Sequence, residues 1–274
     1  MIYIAMAMPV EARAIIKKLN LKRDNSIKKV QVFKNEEVTL IITGVGTIKS
    51  LIATTHILSI ENIGKNDIFV NLGVCGAKDK EKFTIGDVVL ANKIVDKNND
   101  FTIYPDMIFA HNFKEGSIET HNKVVESTLG INEDIVDMEA SGVLKGASYF
   151  LNNSQIFAIK IVSDYLDSKV EGEKVENLIE NRFDEIYSWV LRVANFNQSN
   201  EIEFSQEEKR KIDETALKMK FSESMKNDFI NYLEYLKICK EDIVGLLEKY
   251  EKLEIKDKRE GKKILDEIRG KIVK

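Results

Sequence analysis

The chain has 274 residues, 43% hydrophobic and 31% charged, with a formal net charge of −4. Such a composition suits a globular protein, and its mild acidity gives no reason to expect nucleic acid or an anionic membrane as partner. No apolar run approaches the roughly 18–20 residues of a membrane span, and neither Cys75 and Cys239 nor His56, His111 and His121 show disulfide-framework or zinc-ligand spacing, so no metal or cofactor is expected.

The apolar start, Met1 to Met8, lacks the basic leader and cleavage pattern of a signal peptide. It reads as a first strand, Ile2–Met8, and the expected location is cytoplasmic. Pro9 suits a helix start, so a helix is expected over Val10–Leu19 with Glu11 in its first turn, where an acid complements the helix dipole. A strand at Val38–Thr43 runs into Thr43-Gly44-Val45-Gly46 and a helix over Thr47–Ser59. Glycines there permit tight turning and leave backbone N–H groups for an anion or a polar ligand. The strand Ile68–Leu72 leads into Asn71-Leu72-Gly73-Val74-Cys75-Gly76-Ala77, whose small residues either pack backbone closely or leave room at the strand end. A strand follows at Asp87–Val95 and a short one at Ile135–Val136. Asp137-Met138-Glu139-Ala140-Ser141-Gly142 then opens a helix over Glu139–Leu151.

The run Gln155–Val162 is a buried strand that delivers Ser163 and Asp164. In open α/β sheets chemistry lies just beyond the carboxyl ends of strands, although an Asp there also caps a following turn. A helix over Val175–Phe196 places Val175, Leu178, Ile179, Phe183, Ile186, Tyr187, Val190 and Ala194 on one face. Alternating strands and helices define an α/β layered fold, a central mixed sheet flanked by helices.

After Asn195 the character changes. Asn197-Gln198-Ser199-Asn200 reads as a polar linker, and Ser205-Gln206-Glu207-Glu208 has the form of a capping box. Met225, Phe229, Leu233, Leu236, Ile243 and Leu247 recur at helical steps, and a last amphipathic helix carries Ile264, Leu265, Ile268 and Ile272. The expected domains are an α/β unit over residues 1–196 and a C-terminal all-helical appendage over residues 201–274. Its apolar stripes are read as internal packing, with a protein partner as the other option.

Taken singly, the acids have structural readings. Glu11 and the pair Asp137 and Glu139 complement helix dipoles, while a carboxylate at 139 can also accept two hydrogen bonds from a vicinal diol, with Met138 as a soft apolar surface for a sugar face. Taken together, the order A-M-x-x-E, T-G-x-G, N-x-G-x-x-G, I-G-D-V-V, D-M-E-A and V-S-D over residues 1–195 resembles the nucleoside phosphorylase/nucleosidase superfamily, in particular its 5′-methylthioadenosine/S-adenosylhomocysteine nucleosidase branch.

The resemblance implies an enzyme that cleaves the N-glycosidic bond of a purine nucleoside or thionucleoside, and a homo-oligomer. On it, Asp164 protonates the purine N7, Glu11 activates the attacking water, Glu139 holds the ribose hydroxyls and Met138 packs on the sugar. Val74, Cys75, Gly76 and Ser163 complete the expected substrate-binding set. Where phosphorylases of this kind carry arginine and a hydroxyl residue, this chain has Asn71 and Val74, so phosphate loses partners and water is the expected nucleophile. The strand supplying a purine-stacking phenylalanine falls at Ser117–Val124, with Lys123 at the matching position; Phe101, Tyr104 and Phe109 are the other aromatic candidates. The alternatives are a nucleoside-binding module signalling through its helical tail and a phosphate-dependent phosphorylase.

Overall fold

The computed structural model describes residues 1–167, 171–199, 204–238, 241–251, 253 and 255–272. Cys239 and Asn200 lie outside them. The chain divides into two compact units, Met1–Ser199 and Asn200–Lys274.

The first unit is built on a ten-stranded mixed sheet. Its strands are β1 (Ile2–Met6), β2 (Lys22–Arg23), β3 (Gln31–Lys34), β4 (Val38–Ile42), β5 (Ile68–Ala77), β6 (Val88–Asp96), β7 (Phe101–Ile103), β8 (Lys114–Thr120), β9 (Ile135–Asp137) and β10 (Ile156–Asp164). The spatial order is β10-β6-β8-β9-β5-β1-β4-β3-β2, with β7 on the side of β6. Because β10 also pairs in parallel with β5, the strands β5, β9, β8, β6 and β10 close into a ring.

β1 shows why the sheet is central. Ile2, Ile4 and Met6 enter one apolar core, while Tyr3 and Ala5 enter the other, so both faces are buried and the strand is apolar throughout. The first core is covered by α1 (Pro9–Lys18) and α4 (Gly172–Ser199), the second by α2 (Thr47–Ile60) and α3 (Ala140–Ala147). All eight residues read as the apolar face of α4 pack into the first core. The two helices on the second face meet at Gly142, where a Cβ would lie 2.1 Å from the Thr47 carbonyl oxygen.

Three expectations shift. β5 does not stop at Leu72 but runs through Gly73 and Gly76 to Ala77, because β10 pairs with it as far as Gly76. α3 ends at Ala147, short of Leu151. α4 continues through Ser199, so Asn197 to Ser199 are helical rather than linker. The region between Val95 and Ile135 holds β7 and β8, and β8 pairs in parallel with both β6 and β9.

The second unit is all helical: α5 (Gln206–Lys218), α6 (Glu223–Ile238), α7 (Ile243–Glu251) and α8 (Lys258–Ile272). Phe229, Leu233, Ile243, Leu247, Leu265 and Ile268 form its own core, against which Met225, Leu236 and Ile264 pack; of the stripe residues, the Ile272 side chain lies outside what is described. The capping box is made: Glu208 N–H donates to Ser205 Oγ at 3.2 Å, and Ser205 N–H to Glu208 Oε2 at 2.6 Å. Among the described residues, no helix is long and apolar enough to cross a membrane.

Candidate active site

Where β1, β5, β9 and β10 end together, a cavity of about 390 Å³ opens, within the size range of small-molecule sites. Its lining includes Glu11, Val74, Cys75, Gly76, Met138, Glu139, Ser163 and Asp164, the eight residues singled out from sequence, brought together from α1, β5, the β9–α3 turn and β10.

Glu11 sits in the first turn of α1 and serves two masters. Its Oε2 accepts from the Met8 N–H at 2.9 Å, capping the helix, and its Oε1 accepts from the Val74 N–H of β5 at 3.2 Å. A Cβ at Gly73 would lie 2.9 Å from that Oε1, which is why β5 needs a glycine there. Glu11 is 2% exposed, and burial raises its pKa against the lowering influence of Lys160 and the backbone donors.

The two acids of the β9–α3 turn divide their roles. Asp137 is the structural cap: its Oδ2 accepts from Ala140 N–H at 2.7 Å and Glu139 N–H at 3.3 Å, and its Oδ1 accepts from the Thr120 hydroxyl at 2.7 Å. Glu139 crosses to α2, where its Oε1 accepts from the Gly46 N–H at 2.9 Å. Gly44 and Gly46 have φ of 82° and 104°, so the glycine turn is conformationally required. Its two glycine amides are engaged within the protein, however: the Gly46 N–H donates to Glu139, and the Gly44 N–H to the Ala7 carbonyl. Burial, and then the charge of Asp137, push the Glu139 pKa up to about 7.

Asp164 is the last residue of β10, not a residue beyond it. Its Oδ1 accepts from the Leu166 N–H at 2.8 Å and so also caps the turn that follows. The Ser163 hydroxyl lies 2.7 Å from Asp164 Oδ2 and 3.1 Å from the Cys75 carbonyl; with one proton it donates to one of them at a time. The Cys75 side chain is buried, and burial pushes its thiol pKa far up, so it is no nucleophile.

Sequence reasoning passed over Lys160. This lysine is 1% exposed, and its Nζ lies 2.8 Å from Asp137 Oδ2. Burial disfavours its charge, but Asp137, Glu139 and Glu11 outweigh burial and raise its pKa. One cation inside the otherwise apolar run Ile156 to Val162 was the available signal.

Other expectations are corrected. Asn71 does not reach the cavity; its side-chain amide donates to the Ala5 carbonyl at 3.2 Å. Phe101, Tyr104 and Phe109 do not line it either: Phe101 packs on the second core, Phe109 on the first, and Tyr104 is exposed. In their place Lys123, Val124 and Val125 form a wall. Among the described residues, no cluster of metal-ligating side chains occurs.

No family model matches the chain. Among curated proteins it is similar to the 5′-methylthioadenosine/S-adenosylhomocysteine nucleosidase of Staphylococcus aureus strain bovine RF122 / ET3-1, 29% identical over 137 residues, 46% of this chain and 58% of that protein. The chain thus spans little more than half the length of the curated relatives it matches. Among solved structures, the Helicobacter pylori 5′-methylthioadenosine/S-adenosylhomocysteine nucleosidase superposes with TM-score 0.58 at 17% identity, covering 70% of this chain and 97% of that one. The Neisseria meningitidis nucleosidase of the same name gives 0.57 at 18%, covering 69% and 97%. Futalosine hydrolase of Helicobacter pylori gives 0.58 at 16%, covering 70% and 97%. The fold is the one these solved nucleosidases and the futalosine hydrolase share. The likeness in sequence and in fold is to the 5′-methylthioadenosine/S-adenosylhomocysteine nucleosidases.

Proposed function

We propose that this protein hydrolyses the N-glycosidic bond of a purine nucleoside or 5′-thionucleoside. The observation that carries the reading is the meeting of Glu11, Glu139 and Asp164, remote in sequence, on one cavity. Loss of a purine leaves an oxocarbenium-like sugar, so the reaction needs a proton for the departing base and a steered nucleophile on the sugar.

Asp164, held by the Leu166 N–H and the Ser163 hydroxyl, delivers that proton to N7. Glu11, with a burial-raised pKa, takes a proton from water. Glu139 accepts the ribose hydroxyls, and Met138 lies along the sugar. The Glu11 carboxylate accepts from the Val74 N–H of β5, and the Asp164 carboxyl lies beside Gly76, two residues further along the same strand.

Phosphate is disfavoured as nucleophile by charge. A dianion would meet Glu11, Glu139 and Asp164 against the single lining cation Lys123 among the described residues, while Val74 presents no side-chain donor to it. The homo-oligomeric state implied by the resemblance belongs to the same reading, and sedimentation of the purified chain measures it.

The test is incubation with methylthioadenosine, adenosylhomocysteine, adenosine and inosine, with and without phosphate, following free base and free sugar. Phosphate-independent release of base and reducing sugar is expected. No release from any of the four by folded protein would overturn the reading, and release of sugar 1-phosphate would replace water by phosphate.

A further inference from the structure

The wall formed by Lys123, Val124 and Val125 has a definite place in the cavity. Val125 packs with Ile131, Val136 and Leu166. Leu166 is the residue whose N–H holds Asp164 Oδ1, and its Cδ2 fills the space where a Cβ of Gly76 would lie, 2.2 Å away. The segment therefore stands at the Asp164 end of the cavity, away from the end where Glu11 rests on Val74 and Glu139 on Gly46. Among the described residues, the cavity lining has no aromatic side chain and Lys123 as its single cation. The Lys123 ammonium has no hydrogen-bond or ion-pair partner among the described residues.

On the reading proposed above, the purine lies at the Asp164 end with N7 toward the acid. The 6-substituent is the neighbour of N7 on that edge. A 6-oxopurine shows two acceptors there, N7 and O6, whereas a 6-aminopurine shows an acceptor at N7 beside an N–H₂ donor. An ammonium has three donors and no acceptor. Asp164 as acid and Lys123 together thus present two donors to this edge, matching the oxo base and setting donor against donor with the amino base. A polar mismatch of this kind discriminates more strongly than a change of apolar contact. As the glycosidic bond breaks, negative charge builds on the departing base, and an ammonium on its carbonyl oxygen stabilises that charge as well.

We propose that Lys123 is a specificity-determining residue that selects 6-oxopurine nucleosides by donating a hydrogen bond to the base carbonyl oxygen. The inference rests on the hydrolase reading, and the experiment separates the two. Inosine and adenosine, and their 5′-methylthio counterparts, differ within each pair only at position 6 and in the proton that the oxo base carries on N1. Comparing kcat/KM across each pair for the wild type, Lys123→Met and Lys123→Arg isolates the contribution of this side chain. Lys123 is exposed, so neither substitution threatens folding.

The wild type is expected to favour the oxo member of each pair at least tenfold. Lys123→Met should collapse that preference through loss on the oxo substrate, and Lys123→Arg should retain it. A wild-type preference for the amino base, or a ratio unmoved by Lys123→Met, overturns the inference while leaving the hydrolase reading intact. If no nucleoside is cleaved, the hydrolase reading falls and calorimetric binding of hypoxanthine and adenine decides the inference. Tighter binding of hypoxanthine that disappears in Lys123→Met supports it; equal binding of the two bases, or none, overturns it.

Discussion

The raised pKa of Glu139 makes a stability claim that can be worked through. Its carboxyl ordinarily titrates near 4.5 and in the folded protein near 7. The folded state therefore holds this proton more tightly than the unfolded chain. The associated stabilisation is fully present below pH 4.5 and is lost as pH rises through 7. A shift of this size corresponds to about 3 kcal/mol, a sizeable share of the roughly 5–15 kcal/mol that holds a domain together. Glu139→Gln removes the titration while keeping an oxygen for the Gly46 N–H. The variant should match the wild type near pH 4.5 and exceed it by up to about 3 kcal/mol at pH 8, with most of the divergence between pH 5 and 8. Because Glu11 and Asp137 also repel Glu139, the gain includes relief of those neighbours. Urea unfolding of both proteins at half-unit pH steps measures the difference. A difference curve that is flat across this window would refute the argument. The same titration should appear in binding: KM for nucleoside falls as pH rises through 7 in the wild type, and Glu139→Gln abolishes that dependence.

Asp164→Asn should leave the urea midpoint near that of the wild type and cut base release at least about 100-fold, since an amide has no proton to give; undiminished turnover would remove Asp164 from the mechanism. Lys160→Met leaves Asp137 buried without its ammonium and should cost about 3–5 kcal/mol in urea unfolding; a loss below about 1 kcal/mol would show that the backbone donors to Asp137 suffice. Gly142→Ala sets helix propensity against packing: propensity alone predicts a gain of about 1 kcal/mol. The 2.1 Å approach to the Thr47 carbonyl predicts instead a loss of about 1–3 kcal/mol by thermal or urea unfolding, and a stabilised variant would contradict the close meeting of α2 and α3.

What could be read from the chain depended on whether the signal was local. The continuous apolar run of β1 and the i, i+3, i+4 face of α4 are properties of single segments, and the structure has both. The expected end of β5 at Leu72 took the small residues from Gly73 to Ala77 as lying beyond the strand; the strand continues there through pairing with β10, a partner 87–88 residues away. β7 is three residues long, too short for a period to register. At the site, Glu11, Glu139 and Asp164 stood out because each ends or begins an element within a motif. Lys160 sits in mid-strand, and only tertiary structure shows Asp137, Glu139 and Glu11 around its charge. The division of labour between Asp137 and Glu139 was equally hidden, since spacing alone does not say which of two acids caps a helix and which crosses to a neighbour.

The buried Cys75 has a practical consequence. Its side chain belongs to β5, buried and reluctant to ionise, so an alkylating reagent reacts with it slowly until the residues around it open. In a Cys239→Ser background, the rate of modification becomes a clock for excursions of the sheet interior, readable under conditions in which the protein stays folded.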